Sequence, residues 1–247
     1  MHPVTRRAPV YHRGVIDLAE LGECTSGQLS ETAPTLVVPV GSTEQHGPHL
    51  PLDTDTRIAT AVAREVAGRL DHLLAPAIAY GASGEHQGFC GTVSIGTAAL
   101  TAVLVEYGRS ACGWAPRVVF VNGHGGNLDA LRAGVATLRA EGRDAAWVSG
   151  CPERCDAHAG HTETSLLLHL SPQAVRTDRW VRGNTAPLDE LMAGLRSGGV
   201  AAVSDSGILG DPTTATAADG ARIFAGMAAD CVERVRRWTP GPDGMLR

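Results

Sequence analysis

A chain of 247 residues with 43% apolar and 19% charged side chains fits one globular α/β domain with a sizeable buried core. Its formal charge of -5 points to neither nucleic acid nor an anionic membrane as a partner. All 21 basic residues are arginine, which excludes mechanisms built on a Schiff-base or phosphate-loop lysine.

In chain order, the opening MHPVTRRAPVYHRG has no apolar signal-peptide core, and no uninterrupted apolar stretch of membrane-spanning length follows, so a cytoplasmic protein is expected. TLVVPV (35–40), closed by Gly41, reads as a strand buried on both faces. Ile58, Val62, Val66 and Leu70 recur every four residues and predict a helix from Thr56 to Leu70, with Asp55 at its N-cap and Gly68 near its end. LLAPAIAYG (73–81) predicts a second strand, GTVSIG (91–96) a short strand or turn, and 98–112 a second helix. RVVFV (117–121), Asn127 to Glu141 and AAWVS (145–149) then read as strand, helix and strand. A short helix follows from Thr162 to Leu170, a Gly-rich irregular stretch over 176–210, a last helix from Ala217 to Trp238, and a loose tail, TPGPDGMLR. This alternation predicts an α/β fold with a parallel sheet covered by helices, in a single domain over 1–247 with an ordered core of about 10–238.

Six cysteines at 24, 90, 112, 151, 155 and 231 share no recurring spacing and read as unpaired, mostly buried thiols. Cys151 and Cys155 invite a zinc reading, but their C-x3-C spacing has no second pair.

The chemistry gathers at strand ends. GSTEQHGPHLPLDTDT packs Glu44, His46, His49, Asp53 and Asp55 between the first strand and its helix, where open parallel sheets carry their active sites. Glu44 and His46, two apart, point the same way in extended backbone, and Asp55 returns to that edge at the helix start. Carboxylates with an imidazole suit zinc, iron or manganese; an N-cap and two solvated loop residues are the plainer alternative. VNGHGGN (121–127) delivers His124 to the same edge, and its glycines let backbone approach a ligand. A phosphate cradle is the other reading of such a loop, although it lacks G-x-G-x-x-G spacing. DAHAGHTETS adds Asp156, His158, His161 and Glu163 after the strand at 145–149. Three such clusters would suit two divalent cations, a centre that polarises a carbonyl and supplies hydroxide near neutral pH. Glu85 and His86 in SGEHQGF are candidate pocket-lining residues, and His86 reads equally well as structural.

The motifs GSTEQHGPHLPLDTD, GEHQGFCGTVSIG, NGHGGN, HAGHTETS and GILGDPTTATAADG, in that order from residue 36 to about 220, resemble the creatininase family of metal-dependent amidohydrolases. The resemblance implies a creatininase-like three-layer sandwich with a mainly parallel sheet between helices, two divalent ions and a homohexamer. It implies Glu44, His46, Asp55, His124 and Glu163 as metal ligands, with Asp55 bridging, and His158 as the proton-transfer residue. Creatininase carries a ligand glutamate where this chain has Gly126, which leaves Glu163 to complete the second ion's coordination. Fe2+ and Zn2+ are the ions that family habit implies, and the donor set also admits Mn2+. Longer runs, including VPVGSTEQHGPHLPLDTDTRIATAVA and VVFVNGHGGN, resemble the family's mycofactocin-system branch. That likeness implies a modified precursor peptide as substrate, cut before its C-terminal Val-Tyr-derived unit. Hydrolysis of a small cyclic amide or formamide is the alternative within the family, and a metal-binding scaffold without turnover is the alternative outside it.

Overall fold

The computed structural model describes residues 20–150 and 155–247. A four-stranded parallel sheet, ordered β2-β1-β3-β4, is built from β1 (Leu36–Val40), β2 (Leu73–Leu74), β3 (Val118–Asn122) and β4 (Ala145–Ser149). The central pairing is in register from Leu36 opposite Val118 to Val40 opposite Asn122, so β1 and β3 end together. Every residue of these two strands is buried, which is why they read as unbroken apolar runs rather than as alternating ones.

Seven α-helices are described: α1 (Ser26–Thr32), α2 (Thr54–Leu70), α3 (Gly96–Ala111), α4 (Leu128–Ala140), α5 (His161–Leu170), α6 (Leu188–Gly198) and α7 (Ala217–Arg237). Alternate strand residues send the sheet's two faces into separate cores. Val37, Val119, Val121 and Val148 meet Val62 and Val66 of α2, Leu166 of α5 and Val232 of α7. Val38, Phe120 and Trp147 meet Leu100 and Leu104 of α3 with Leu131 and Leu138 of α4 on the other face. The result is the helix, sheet, helix layering expected from the alternation. No described helix is long and apolar enough to cross a membrane.

Four expectations are corrected. Only Leu73 and Leu74 of the segment 73–81 pair as a strand, because Pro76 has no N–H to give; the chain returns to the sheet at Ile78, whose N–H reaches Pro39 O. GTVSIG needs no correction, since of its two readings, strand or turn, the structure has no strand there and a turn at Gly91. Within 176–210, whose glycines hide it, α6 presents Leu188, Leu191 and Leu195 on helical spacing. Cysteines are less buried than expected: Cys24 and Cys112 are half-buried, Cys90 and Cys155 are exposed, and Cys231 is the buried one among the described residues. Cys151, and with it the C-x3-C reading, lies outside the described residues, as does the start of the ordered core near residue 10.

The tail is the fourth. Gly244 O accepts from Trp147 N–H and Leu246 N–H donates to Trp147 O, so the tail lines the free edge of β4. Leu246 is fully buried beneath it. Leu246→Ala should therefore cost about 2–5 kcal/mol, read as a lower urea midpoint at an unchanged denaturant slope; an unchanged midpoint would return the tail to the loose state that its sequence implies.

Candidate metal centre and active site

The ligand candidates come from beyond the carboxyl ends of β1, β3 and β4 or from the helices that follow them. Beyond β1 the chain places Glu44 and His46, both inaccessible to solvent, and α2 brings in Asp55. Asp55 is not the N-cap: α2 begins at Thr54, and the Asp55 carboxylate turns inward, accepting from Ser42 Oγ at 2.7 Å. Asp53 takes the capping position and pairs outward with Arg57. His124 follows β3, and α5 carries Glu163.

These side chains converge. Asp55 Oδ1 lies 3.1 Å from His46 Nε2, and its Oδ2 lies 3.1 Å from His124 Nδ1. His124 Nε2 stands 3.2 Å from Glu44 Oε2, and His46 Nε2 stands 3.8 Å from Glu163 Oε2. One carboxylate thus faces two groups, Glu44 with His124 and His46 with Glu163, through separate oxygens. Glu44, His46 and Asp55 offer donor atoms within 4.8 Å of one another, as do His46, His158 and Glu163.

Burial makes the cluster electrostatically demanding. Desolvation lifts Glu44 and Glu163 to about 7, helped by the neighbouring Asp55 charge. Burial also presses His46 and His124 downward, but Asp55 and the surrounding carboxylates outweigh it and raise them to about 10 and about 9. Asp55 itself, despite its burial, is held well below the usual carboxylate range by those two imidazoles. Neither oxygen of Glu44 has a hydrogen-bond partner. Buried carboxylates that hold protons near neutrality, beside imidazoles and orphaned oxygens, fit a divalent cation, which displaces the protons and takes the lone pairs.

The glycines of 121–127 have distinct reasons. A Cβ on Gly123 would meet Asp55 O at 2.6 Å, and one on Gly126 would meet Ala82 O at 2.2 Å and His124 Nε2 at 2.5 Å. A side chain at 126 has no room here, and Glu163 approaches His46 from α5 instead, anchored by the Ala159 N–H at 2.5 Å.

His158, also buried, stacks between His46 and His86 with ring centroids 4.3 Å from each. Its Nε2 lies 2.7 Å from Gln45 O, so the proton sits on Nε2 and the bare Nδ1 faces Glu44 Oε1 at 3.8 Å. Burial, then the neighbouring His46 and His86 imidazoles, hold it well below the ordinary histidine range. His49 is buried and bonds Thr164 Oγ1, and Asp156 accepts from Thr162 N–H at the start of α5. His161 contradicts its place beside the ligands: its ring points out to Thr214 and Asp219.

A cavity of about 240 Å³ opens over the cluster, lined among others by Glu85 and His86 and by the apolar Leu188, Leu195, Leu209 and Met227. Sequence reasoning missed this apolar lining, since Leu188 and Leu195 depend on α6, Met227 comes from α7 and Leu209 from the bridge beside His158. It also missed Gln45, whose amide reaches His86 and Gly207 O.

The creatininase family profile, described as creatinine amidohydrolase, matches residues 22–235. The chain belongs to the creatininase family. Family membership makes it a hydrolase of amide bonds, in agreement with its sheet-edge cluster of imidazoles and carboxylates. It is 66% identical to the mycofactocin precursor peptide peptidase of Mycobacterium tuberculosis (strain CDC 1551 / Oshkosh), over 96% of this chain and 98% of that one. Among solved structures, a mutant creatininase of Zn-Zn type matches with a TM-score of 0.76 at 26% identity, covering 90% of this chain and 99% of its own. A creatininase described with Mn matches equally, with a TM-score of 0.76, 26% identity and the same coverage. The creatininase-like fold expected from the motifs is therefore the fold observed.

Proposed function

We propose that this creatininase-family hydrolase is a dinuclear metal-dependent peptidase acting on the mycofactocin precursor peptide, releasing its modified C-terminal Val-Tyr-derived unit. The observation that carries the reading is the pairing of a carboxylate and imidazole cluster with a wall of Leu188, Leu195, Leu209 and Met227. That wall suits a valine- and tyrosine-derived fragment better than a small polar ring such as creatinine. The identity with the mycobacterial peptidase over nearly the whole of both chains supports the same substrate.

Glu44, Asp55 and His124 would hold one cation, and His46, Asp55 and Glu163 the other, with Asp55 bridging. Fe2+ or Zn2+ suits these nitrogen and oxygen donors, and Mn2+ is admitted by them. When bound, the pair supplies Lewis acidity, polarising the scissile carbonyl and lowering the pKa of a water. The chain's own residues do the rest. His158, neutral by burial and with Nδ1 open to the site, takes the proton of the attacking water there. It then passes that proton to the leaving amine nitrogen. The apolar wall excludes bulk water and fixes the released fragment. A homohexamer in the cytoplasm belongs to the same reading; Leu52, Tyr80 and Val93, exposed on neighbouring segments around Thr43, offer an apolar surface for self-association.

Incubation of the purified protein with the modified precursor and, separately, with creatinine, followed by mass spectrometry, tests the substrate. Cleavage before the Val-Tyr-derived unit is expected, lost on chelation and restored by added Fe2+ or Zn2+. Turnover of creatinine alone would favour the small-amide alternative, and activity indifferent to chelation would remove the metal from the mechanism.

A further inference from the structure

Glu44 is buried with two orphaned oxygens, and one of them has an unassigned neighbour. His86 Nε2 lies 3.4 Å from Glu44 Oε1, while Oε2 faces His124. His86 is itself buried and follows Ser83–Glu85 rather than a sheet strand. Its donor set alone would allow a third imidazole ligand beside Glu44 and His158.

Gln45 decides between ligand and hydrogen-bond donor. Its Oε1 accepts from Gly47 N–H at 2.9 Å, which fixes the amide's orientation. Its Nε2 therefore carries the two protons, and the available acceptors are Gly207 O at 3.0 Å and His86 Nδ1 at 2.9 Å. The third contact, to His158 Nε2 at 3.1 Å, offers no acceptor, because that nitrogen gives its proton to Gln45 O at 2.7 Å. With Nδ1 accepting, neutral His86 carries its proton on Nε2, the atom nearest Glu44. A protonated Nε2 has no lone pair for a metal.

We propose that Gln45 and His86 form a positioning pair for Glu44: Gln45 fixes the His86 tautomer, and His86 holds its Nε2–H 3.4 Å from Glu44 Oε1, a charge–dipole contact rather than a formed hydrogen bond, leaving Oε2 for the cation shared with His124. The inference rests on the metal reading of the cluster, but its tautomer half stands without it. Partners of this kind behind a ligand carboxylate restrain its rotation and tune its charge. The consequence is selective. His86 supports the cation of Glu44 and His124, while the cation of His46 and Glu163 has no such contact with it.

Two variants divide the imidazole. His86→Asn keeps an amide near the Nδ1 position for Gln45 and removes the Nε2 donor; His86→Gln places a donor near the Nε2 position. Zinc-loaded protein challenged with a colorimetric chelator should lose one of its two equivalents about 10- to 100-fold more readily in His86→Asn, with retention largely restored in His86→Gln. Equal retention of both equivalents in His86→Asn would overturn the proposal. Retention restored by His86→Asp but not by His86→Gln would also overturn it, by making His86 a ligand. Long-range proton–nitrogen NMR on metal-free protein reads the tautomer directly: an Nε2–H signal absent in His86→Asn is expected, and an Nδ1–H form refutes the pair. Failure of the wild type to bind zinc would sink the metal reading and leave the NMR arm to decide the tautomer.

Discussion

Asp55→Asn is expected to release both cations and to lower kcat/KM by about a thousandfold or more, about 4 kcal/mol of barrier. The reason lies in its two oxygens, 3.1 Å from His46 on one side and 3.1 Å from His124 on the other. Substitution by the isosteric amide keeps the volume and removes the charge that both groups share. It also places an NH2 where Ser42 Oγ–H or an imidazole N–H now donates, so one close contact becomes repulsive. Glu163→Gln touches only the His46 side, and Glu44→Gln touches Glu44's own contacts with His124 and His86. Metal counted per chain should therefore fall from two toward zero in Asp55→Asn, but only toward one in either glutamine variant. Two tightly held ions in Asp55→Asn would remove its bridging role, and parallel loss in all three variants would mean that the site loads as a single cooperative unit.

Much of this architecture is legible in the sequence where burial is complete on both faces. β1, β3 and β4 appear as apolar runs because the cores on either side dry every position, from Leu36 to Val40 and from Val118 to Val121. Glu44, His46 and His124 are legible because parallel strands end at one edge, so polar residues just beyond their ends are brought together by topology. What escapes is whatever depends on a partner far along the chain. Leu246 looks like part of a loose tail until β4 offers an edge, and α6 looks irregular until its leucines find the cavity. Asp55 reads two ways locally, as a helix cap and as a ligand candidate, since an aspartate before a helical pattern resembles a cap; convergence with His46 and His124 gives its carboxylate a reason to turn inward. Gln45 and His86, 41 residues apart, carry no local signal of their pairing.

His158→Ala should retain both cations and lose about 10²- to 10⁴-fold in kcat with little change in KM. The retained metal follows from the ligand set proposed above, which leaves His158 out: its Nε2 is committed to Gln45 O, and its Nδ1 stands 3.8 Å from Glu44 in a residue that lines the cavity. Alanine alone leaves an ambiguity, because it also removes the stacking on His46 and His86 and opens a void beneath the cluster. His158→Gln answers this, since its amide can still donate toward Gln45 O while supplying no base of imidazole strength. If His158 passes a proton to the leaving nitrogen, both variants should be crippled on the peptide bond and much less so on an aryl ester of the same acyl portion. The aryloxide leaves without protonation, whereas an amine does not. A residue that merely packs or orients the ligands would depress both substrates alike. Equal losses on amide and ester would thus take the leaving-group proton away from His158 and leave it only water deprotonation or positioning, while a loss much larger on the amide identifies the proton it carries with the one the leaving amine requires.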